Sequence, residues 1–404
     1  MLHSRNPTAS GRVPLSSIHD RIRSLTARQQ PGWEDHAELS RVRAELARLP
    51  PLVHIDDVDT LSALLARAAA GEIQVIQSGD CAEDWDEATS ADVARKAALL
   101  DMLAGAMKMV GHKSVLRVGR IAGQFAKPRS RPMERVGGVE LPVYRGHMVN
   151  SPEPDPELRR PDPTRLLKAY GAARTVLGHL GWHAQEAQPR LEAALWTSHE
   201  ALLLDYELPL TRHQADGRWL LSSTHWPWIG ERTRQVDGTH VTLLAAVANP
   251  VACKVGPSVT PDELLALCEA LDPHRTPGRL TLISRMGGAE VPRVLPRLVR
   301  AVREAGHPVI WLTDPMHGNT VTASDGSKTR LVEAVVHEVE EFHTAVTESG
   351  GIAGGLHLET TPDEVTECVD DHSQLHDVGV KYTSLCDPRL NPGQALAVAS
   401  AWRG

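Results

Sequence analysis

Through its first 70 residues the chain places apolar side chains at three- and four-residue intervals, over Leu15–Arg28, Glu34–Leu49 and Val58–Ala70. That spacing predicts helices with one buried face. Beyond residue 70 the pattern changes to short β-rich runs: Ile73–Gln77, Ser114–Val118, Ala193–Thr197, Trp219–Thr224, Val251–Val255, Leu280–Ser284, Val309–Thr313 and Gly355–Glu359. A ninth run, Tyr382–Leu385, follows. Helical stretches separate several of them, among them Asp92–Met107, Asp262–Leu271, Val291–Glu304 and Lys328–Ser349. About eight β-α alternations predict an α/β fold, a closed parallel (β/α)8 barrel, and one of the nine runs must then lie outside it. No GxGxxG follows the first strand to favour an open dinucleotide-binding sheet.

A plain barrel needs about 250 residues, so the remainder is decoration. Residues 1–70 read as an N-terminal helical extension and residues 71–404 as the barrel. A long insertion after strand two, about Arg131–Arg190, holds the Pro-rich stretch SPEPDPELRRPDP and a helix near Leu166–Leu180. No repeat, low-complexity tract or dividing linker is evident.

Charge and composition narrow the function. With 41% hydrophobic residues but only 4% aromatics, the core must be filled by Leu, Val, Ala and Ile. The formal net charge of −8 argues against nucleic-acid or anionic-membrane partners, which favour basic surfaces. Five widely spaced cysteines (Cys81, Cys253, Cys268, Cys368, Cys386) make a poor disulfide framework and suit a reducing compartment. The start MLHSRNPTASGR lacks an apolar run behind its basic residues, and no stretch approaches the roughly 18 apolar residues of a membrane span. The expectation is a soluble, cytoplasmic protein, and a homodimer because twofold assemblies are the commonest.

Four motifs carry candidate metal ligands at strand ends or in the loops that follow: QSGDCAE with Cys81, DPMHGNT with His317, LHLETTPDE with Glu359 and SLCDPRLN with Asp387. Taken singly, Cys81 reads most readily as a small core hydrophobe. Together, a thiolate, an imidazole and two carboxylates at strand ends are what a barrel mouth gathers. Cations recur at the same ends: Arg120, Lys127 and Arg129 with Ser130 after strand two, Arg232 and Arg234 with Trp228 and Glu231 in HWPWIGERTRQ, Lys254 in CKVGPS and Arg285 in SRMGG. Any one of them could be an ordinary ion pair. So many near one mouth would be costly unless anions meet them, which points to two anionic substrates and a divalent metal.

These segments, with TSHEALLLDYE and GHPVIWLTDPMHGNT, resemble the type II 3-deoxy-D-arabino-heptulosonate 7-phosphate (DAHP) synthases from about residue 70 to the C-terminus. STHWPWIGERTRQVDG and NPVACKVGP most resemble the subgroup of phenazine and other chorismate-derived secondary pathways. The resemblance implies a metal-dependent, aldol-type condensation of phosphoenolpyruvate with D-erythrose 4-phosphate at the entry of the shikimate pathway. It implies Cys81, His317, Glu359 and Asp387 as ligands to manganese or cobalt, with zinc or iron also admitted by the mixed donor set. Arg120, Lys254, Arg285 and Glu231-Arg232 would hold phosphoenolpyruvate against Trp228; Lys127, Arg129, Ser130 and Arg232 would take erythrose 4-phosphate. Lys127 and His317 are the candidates for proton transfer near the aldehyde, and Glu231 near the attacking water.

One departure stands out: LPVYRGHMVN has His147 where the resembled family usually shows Asp. It either touches the metal shell or the erythrose end, where losing a carboxylate would alter pH dependence or sugar preference, or only fixes a loop. A synthase of this fold using another aldose phosphate, a barrel hydrolase or lyase, and a non-catalytic synthase-like scaffold are the competing expectations; the filled ligand and cation positions speak against the last.

Overall fold

Eight strands close into a parallel barrel in chain order: β1 (Ile73–Gly79), β2 (Ser114–Arg120), β3 (Trp196–Glu200), β4 (Trp226–Ile229), β5 (Val251–Val255), β6 (Leu280–Ser284), β7 (Ile310–Thr313) and β8 (Ile352–Glu359). This computed structural model describes residues 15–183 and 193–404. The N-terminal segment MLHSRNPTASGR and the end of the long insertion lie outside the described residues. The last strand returns to the first, with Val75 opposite Gly355 and Gly79 opposite Glu359. That seam needs a glycine. Gly355 has φ +151°, and a Cβ there would lie 1.8 Å from the Val75 carbonyl oxygen. The register of β8 also slips against β7 between Trp311 and Leu312.

Burial explains why these runs are strands. Val75, Val118, Trp226, Ala252, Ile283 and Ile310 pack together inside the barrel with Leu61, Leu65 and Ala68. The last three belong to helix Ile55–Ala69, which leads directly into β1 and so plugs the N-terminal end of the barrel. The chemistry is left to the opposite, C-terminal end, as in other barrels of this kind. Helix His36–Arg48 joins the larger core that the surrounding helices share, through Leu39, Val42 and Leu46. Cap residues set helix starts: Thr260 accepts from the Glu263 N–H ahead of helix Pro261–Leu271, with Pro261 in the first turn.

Several predicted boundaries are corrected. Strand four is Trp226–Ile229; the apolar run at Trp219 instead pairs, through Trp219–Leu221, with Thr211–His213 in an outlying antiparallel hairpin. Pro227 lies within the true strand and removes one backbone donor, the feature that hides it from a pattern reading. Tyr382–Leu385 forms no strand. Strand three runs three residues further than expected, to Glu200. The helix expected from Lys328 begins at Val332, because Lys328–Arg330 pairs with Thr320–Thr322 in a second hairpin. The long insertion carries a third, Met133–Val136 with Val139–Pro142, and helix Arg165–His179.

Candidate active site

The β1–β8 seam brings distant ligands together. Cys81 follows β1, Glu359 ends β8 and Asp387 lies in the loop beyond. Their ligand atoms all lie within 4.8 Å of one another. The backbone N–H of Asp387 donates to Cys81 Sγ at 3.3 Å. His317 approaches from the loop after β7, its Nε2 3.8 Å from Glu359 Oε1. Its Nδ1 lies 2.8 Å from Asp314 Oδ2, a contact that turns the other nitrogen toward the cluster. Thiolate, imidazole and two carboxylates converge there, a donor set that suits a divalent transition metal.

A positive charge already sits among these acceptors. The Lys127 ammonium donates to Cys81 Sγ and lies 3.1 Å from Glu359 Oε1 and 3.0 Å from Asp387 Oδ2. Glu359 also takes Arg120 at 3.1 Å and Arg330 at 3.0 Å. Burial opposes ionisation of Glu359, but Lys127, His317, Arg330 and Arg120 hold its pKa well below the usual carboxylate range. Lys127 does the same for Asp387 against burial. Burial, helped by the neighbouring Cys386 and Glu359, pushes the Cys81 thiol well up. The donors fit a divalent cation, which would supply the positive charge the two carboxylates and the sulfur attract.

Beside the cluster opens a cavity of about 470 Å³. Every residue predicted for the site except Cys81 and the neighbouring cation Arg234 lines it. Nine wall residues are Lys or Arg against five Asp or Glu, so the mouth is positive in a chain whose net charge is negative. On the floor lies Trp228, with the Arg120 guanidinium 5.2 Å and the Lys254 ammonium 5.8 Å from its ring centre. Arg120 is fixed by the Asp80 carbonyl at 3.1 Å and by His357 Nε2 at 2.5 Å. Lys254 meets Asp314 at 2.7 Å, and burial lowers its pKa although Asp314 opposes this. The Arg285 guanidinium makes no hydrogen bond or ion pair among the described residues. Toward the rim, Arg232 donates to Ser130 Oγ at 2.6 Å, and Arg129 pairs with Glu134 at 3.2 Å.

Both oxygens of Glu231 are engaged: Oε2 accepts the Gly256 N–H at 2.7 Å and Oε1 accepts from Arg234 at 2.9 Å. Glu200, at the end of β3, is different. Its buried Oε1 has no partner among the described residues. Burial raises its pKa, with Lys254 and Lys127 opposing. Placing the end of strand three at Thr197 hid it; continuing the strand alternation from Trp196 through Ser198 would have found it. Asp314, His357 and Arg330 were also missed, because each acts through a residue already named.

Glu83 clamps two neighbouring loops. Its carboxylate accepts the backbone N–H groups of Ala122 (3.0 Å), Gly123 (2.8 Å) and Gln124 (2.6 Å), while Ala122 adopts φ +64°. This fixes the segment between Arg120 and Lys127 against the Cys81 loop. His147 belongs to the same wall. Its Nε2 lies 3.3 Å from Asp84 Oδ1, and its ring stacks on Trp85 at 4.7 Å. Of the two expectations for this departure, its contacts match the loop-fixing one.

The barrel and its mouth define the class first: an α/β-barrel protein whose C-terminal face joins a transition-metal ligand set to a cavity for anions. The class-II DAHP synthetase family model matches residues 17–192 and 178–402. The chain is 56% identical over 390 residues to a probable phospho-2-dehydro-3-deoxyheptonate aldolase of Pseudomonas fluorescens, covering 96% of this chain and 98% of that one. It is 39% identical over 425 residues to the phospho-2-dehydro-3-deoxyheptonate aldolase of Streptomyces coelicolor, covering 93% and 94%. In fold it is similar to the phospho-2-dehydro-3-deoxyheptonate aldolase of Francisella tularensis, with a TM-score of 0.52 and 13% identity over 91% of this chain and 97% of that one. The chain belongs to the class-II DAHP synthetase family.

Proposed function

We propose that this DAHP synthase condenses phosphoenolpyruvate with D-erythrose 4-phosphate and releases inorganic phosphate. The observation that carries the reading is one mouth in which the Cys81–Glu359–Asp387 cluster, with His317 beside it, adjoins two groups of cations. Arg120, Lys254 and Arg285 over Trp228 suit the phosphate and carboxylate of phosphoenolpyruvate; Arg129, Ser130 and Arg232 suit the phosphate of the sugar. Cys81, His317, Glu359 and Asp387 would hold the divalent cation, with Mn²⁺ or Co²⁺ the expected occupants. Bound there, it would supply Lewis-acid polarisation of the aldehyde.

Carbon 3 of phosphoenolpyruvate forms the new bond to the aldehyde carbon, whose oxygen takes a proton. Water adds at carbon 2 and loses one, and the hemiketal phosphate breaks its carbon–oxygen bond to give ketone and phosphate. Lys127 and His317 are the candidates to give the first proton, and the position of the Lys127 ammonium among the ligand atoms favours Lys127. Glu200 and Glu231 are the candidates for the second. The unpaired Oε1 and raised pKa of Glu200 suit the exchange itself. The committed oxygens of Glu231 suit holding the Gly256 backbone beside the substrate.

We place the enzyme in the cytoplasm, as a homodimer, at the head of chorismate supply. Among the described residues, no helix is long and apolar enough to cross a membrane. The test is loss of phosphoenolpyruvate absorbance with chelator-stripped protein. Consumption should require both erythrose 4-phosphate and added Mn²⁺ or Co²⁺. Consumption without the sugar, or none with folded, metal-loaded protein, would overturn the proposal.

A further inference from the structure

Two loops at the barrel mouth carry unlike duties: the turn after β6 presents Arg285, and the turn after β7 presents His317. They meet backbone to backbone. Gly287 and Gly318 have φ of +86° and +100°, and a Cβ on Gly318 would lie 2.7 Å from the Gly287 nitrogen. Behind this contact, helix Val332–Glu348 inserts Glu338, a fully buried carboxyl. Its Oε1 accepts the Gly287 N–H at 3.2 Å, and its Oε2 accepts from the Asn319 amide at 2.5 Å. Asn319 in turn donates to the Pro315 carbonyl at 2.8 Å and accepts the Gly288 N–H at 3.3 Å. One side chain therefore holds both turns, and Asn319 ties them a second time.

We propose that Glu338, acting through Asn319, is a positioning residue that fixes Arg285 and His317 relative to one another. It touches neither substrate nor ligand. A buried carboxyl is retained against its desolvation only where its oxygens are used, and here one serves each turn. The separation between a phosphoenolpyruvate anchor and a metal ligand is thereby set from the helical layer outside the barrel. This inference rests on the reading of Arg285 and His317 given above.

The test compares Glu338→Ala, Glu338→Gln, Asn319→Ala and the Glu338→Ala/Asn319→Ala pair, with Arg285→Ala as reference. Expected are a rise of about tenfold in KM for phosphoenolpyruvate and an equal loss of Co²⁺ affinity in substrate-free titrations, the scale of changes behind a metal ligand. KM for erythrose 4-phosphate should stay within about twofold. Gln keeps one acceptor oxygen and should fall between wild type and Ala, and the pair should be less than additive. Should Glu338→Ala fail to fold, the half-buried Asn319→Ala carries the test. Folded variants with unchanged phosphoenolpyruvate KM and Co²⁺ affinity, or with equal changes for both substrates, would overturn the inference. If Arg285→Ala loses phosphoenolpyruvate affinity while the Glu338 and Asn319 variants do not, the inference alone fails; if Arg285→Ala does not, the site reading fails and takes it along.

Discussion

Asp314 shows how one residue can serve both halves of the site. Its carboxylate meets His317 Nδ1 and the Lys254 ammonium, and these neighbours hold its pKa well below the usual carboxylate range against burial. Asp314→Asn should therefore weaken Co²⁺ binding about 10–100-fold, measured by titration of apoprotein, because His317 loses the charged carboxylate and one of the two oxygens that orient it. Glu200→Gln should lower kcat by about 10²–10⁴-fold with little change in either KM, whereas Glu231→Gln should act mainly on KM for phosphoenolpyruvate. Steady-state kinetics separate the two outcomes. Burial pushes the Glu338 carboxyl up to about 8, with Asn319 opposing and Asp314 adding to the rise. Between its ordinary value and that one, the folded state holds a proton that the unfolded chain releases. Its contribution consequently favours folding at low pH and declines as pH rises through this window. Melting temperature against pH should fall less steeply across it in Glu338→Gln than in the parent. The candidate ligands were legible in sequence because each stands in a short polar motif at a strand end or in the loop beyond. Glu338 was not, since a glutamate in a helix rich in glutamate looks like solvated surface.

Among the elements, the seam between β1 and β8 carries the tightest steric demand. Gly355→Ala would drive a methyl group into the Val75 carbonyl, and a loss of about 3 kcal/mol or more is expected, read as a shift in the urea midpoint. Most strands and helices were readable from periodicity, and the exceptions have physical causes. Trp226–Ile229 is only four residues long and contains Pro227, while Trp219–Leu221 has the composition of a strand and is one, but in a hairpin outside the barrel. Pairing partners decide such cases, near in the chain for the hairpin and distant for the barrel strand, and periodicity does not record them. The hairpin carrying Lys328 and Arg330 was missed because its two strands are only three residues each, too short to show alternation, although Lys328 reaches Asp387 at 3.2 Å and Arg330 reaches Glu359.

For the whole molecule, charge is unevenly shared: the net value is −8, yet the mouth is positive. Both kcat/KM values should fall with rising ionic strength, as screening weakens capture of anions, despite the overall negative charge. A rate series in an inert salt checks this. Order along the chain has a further effect. Cys81 follows the first barrel strand, and Glu359 and Asp387 come at and after the last, so no ligand cluster exists until nearly all the barrel has been made and closed. During synthesis, a ribosome-bound chain stalled before residue 359 should be unable to capture the cation. Once the chain is complete, the ion would act as a rivet across the closure point, slowing the opening of the first and last strands and making chelation a trigger for unfolding.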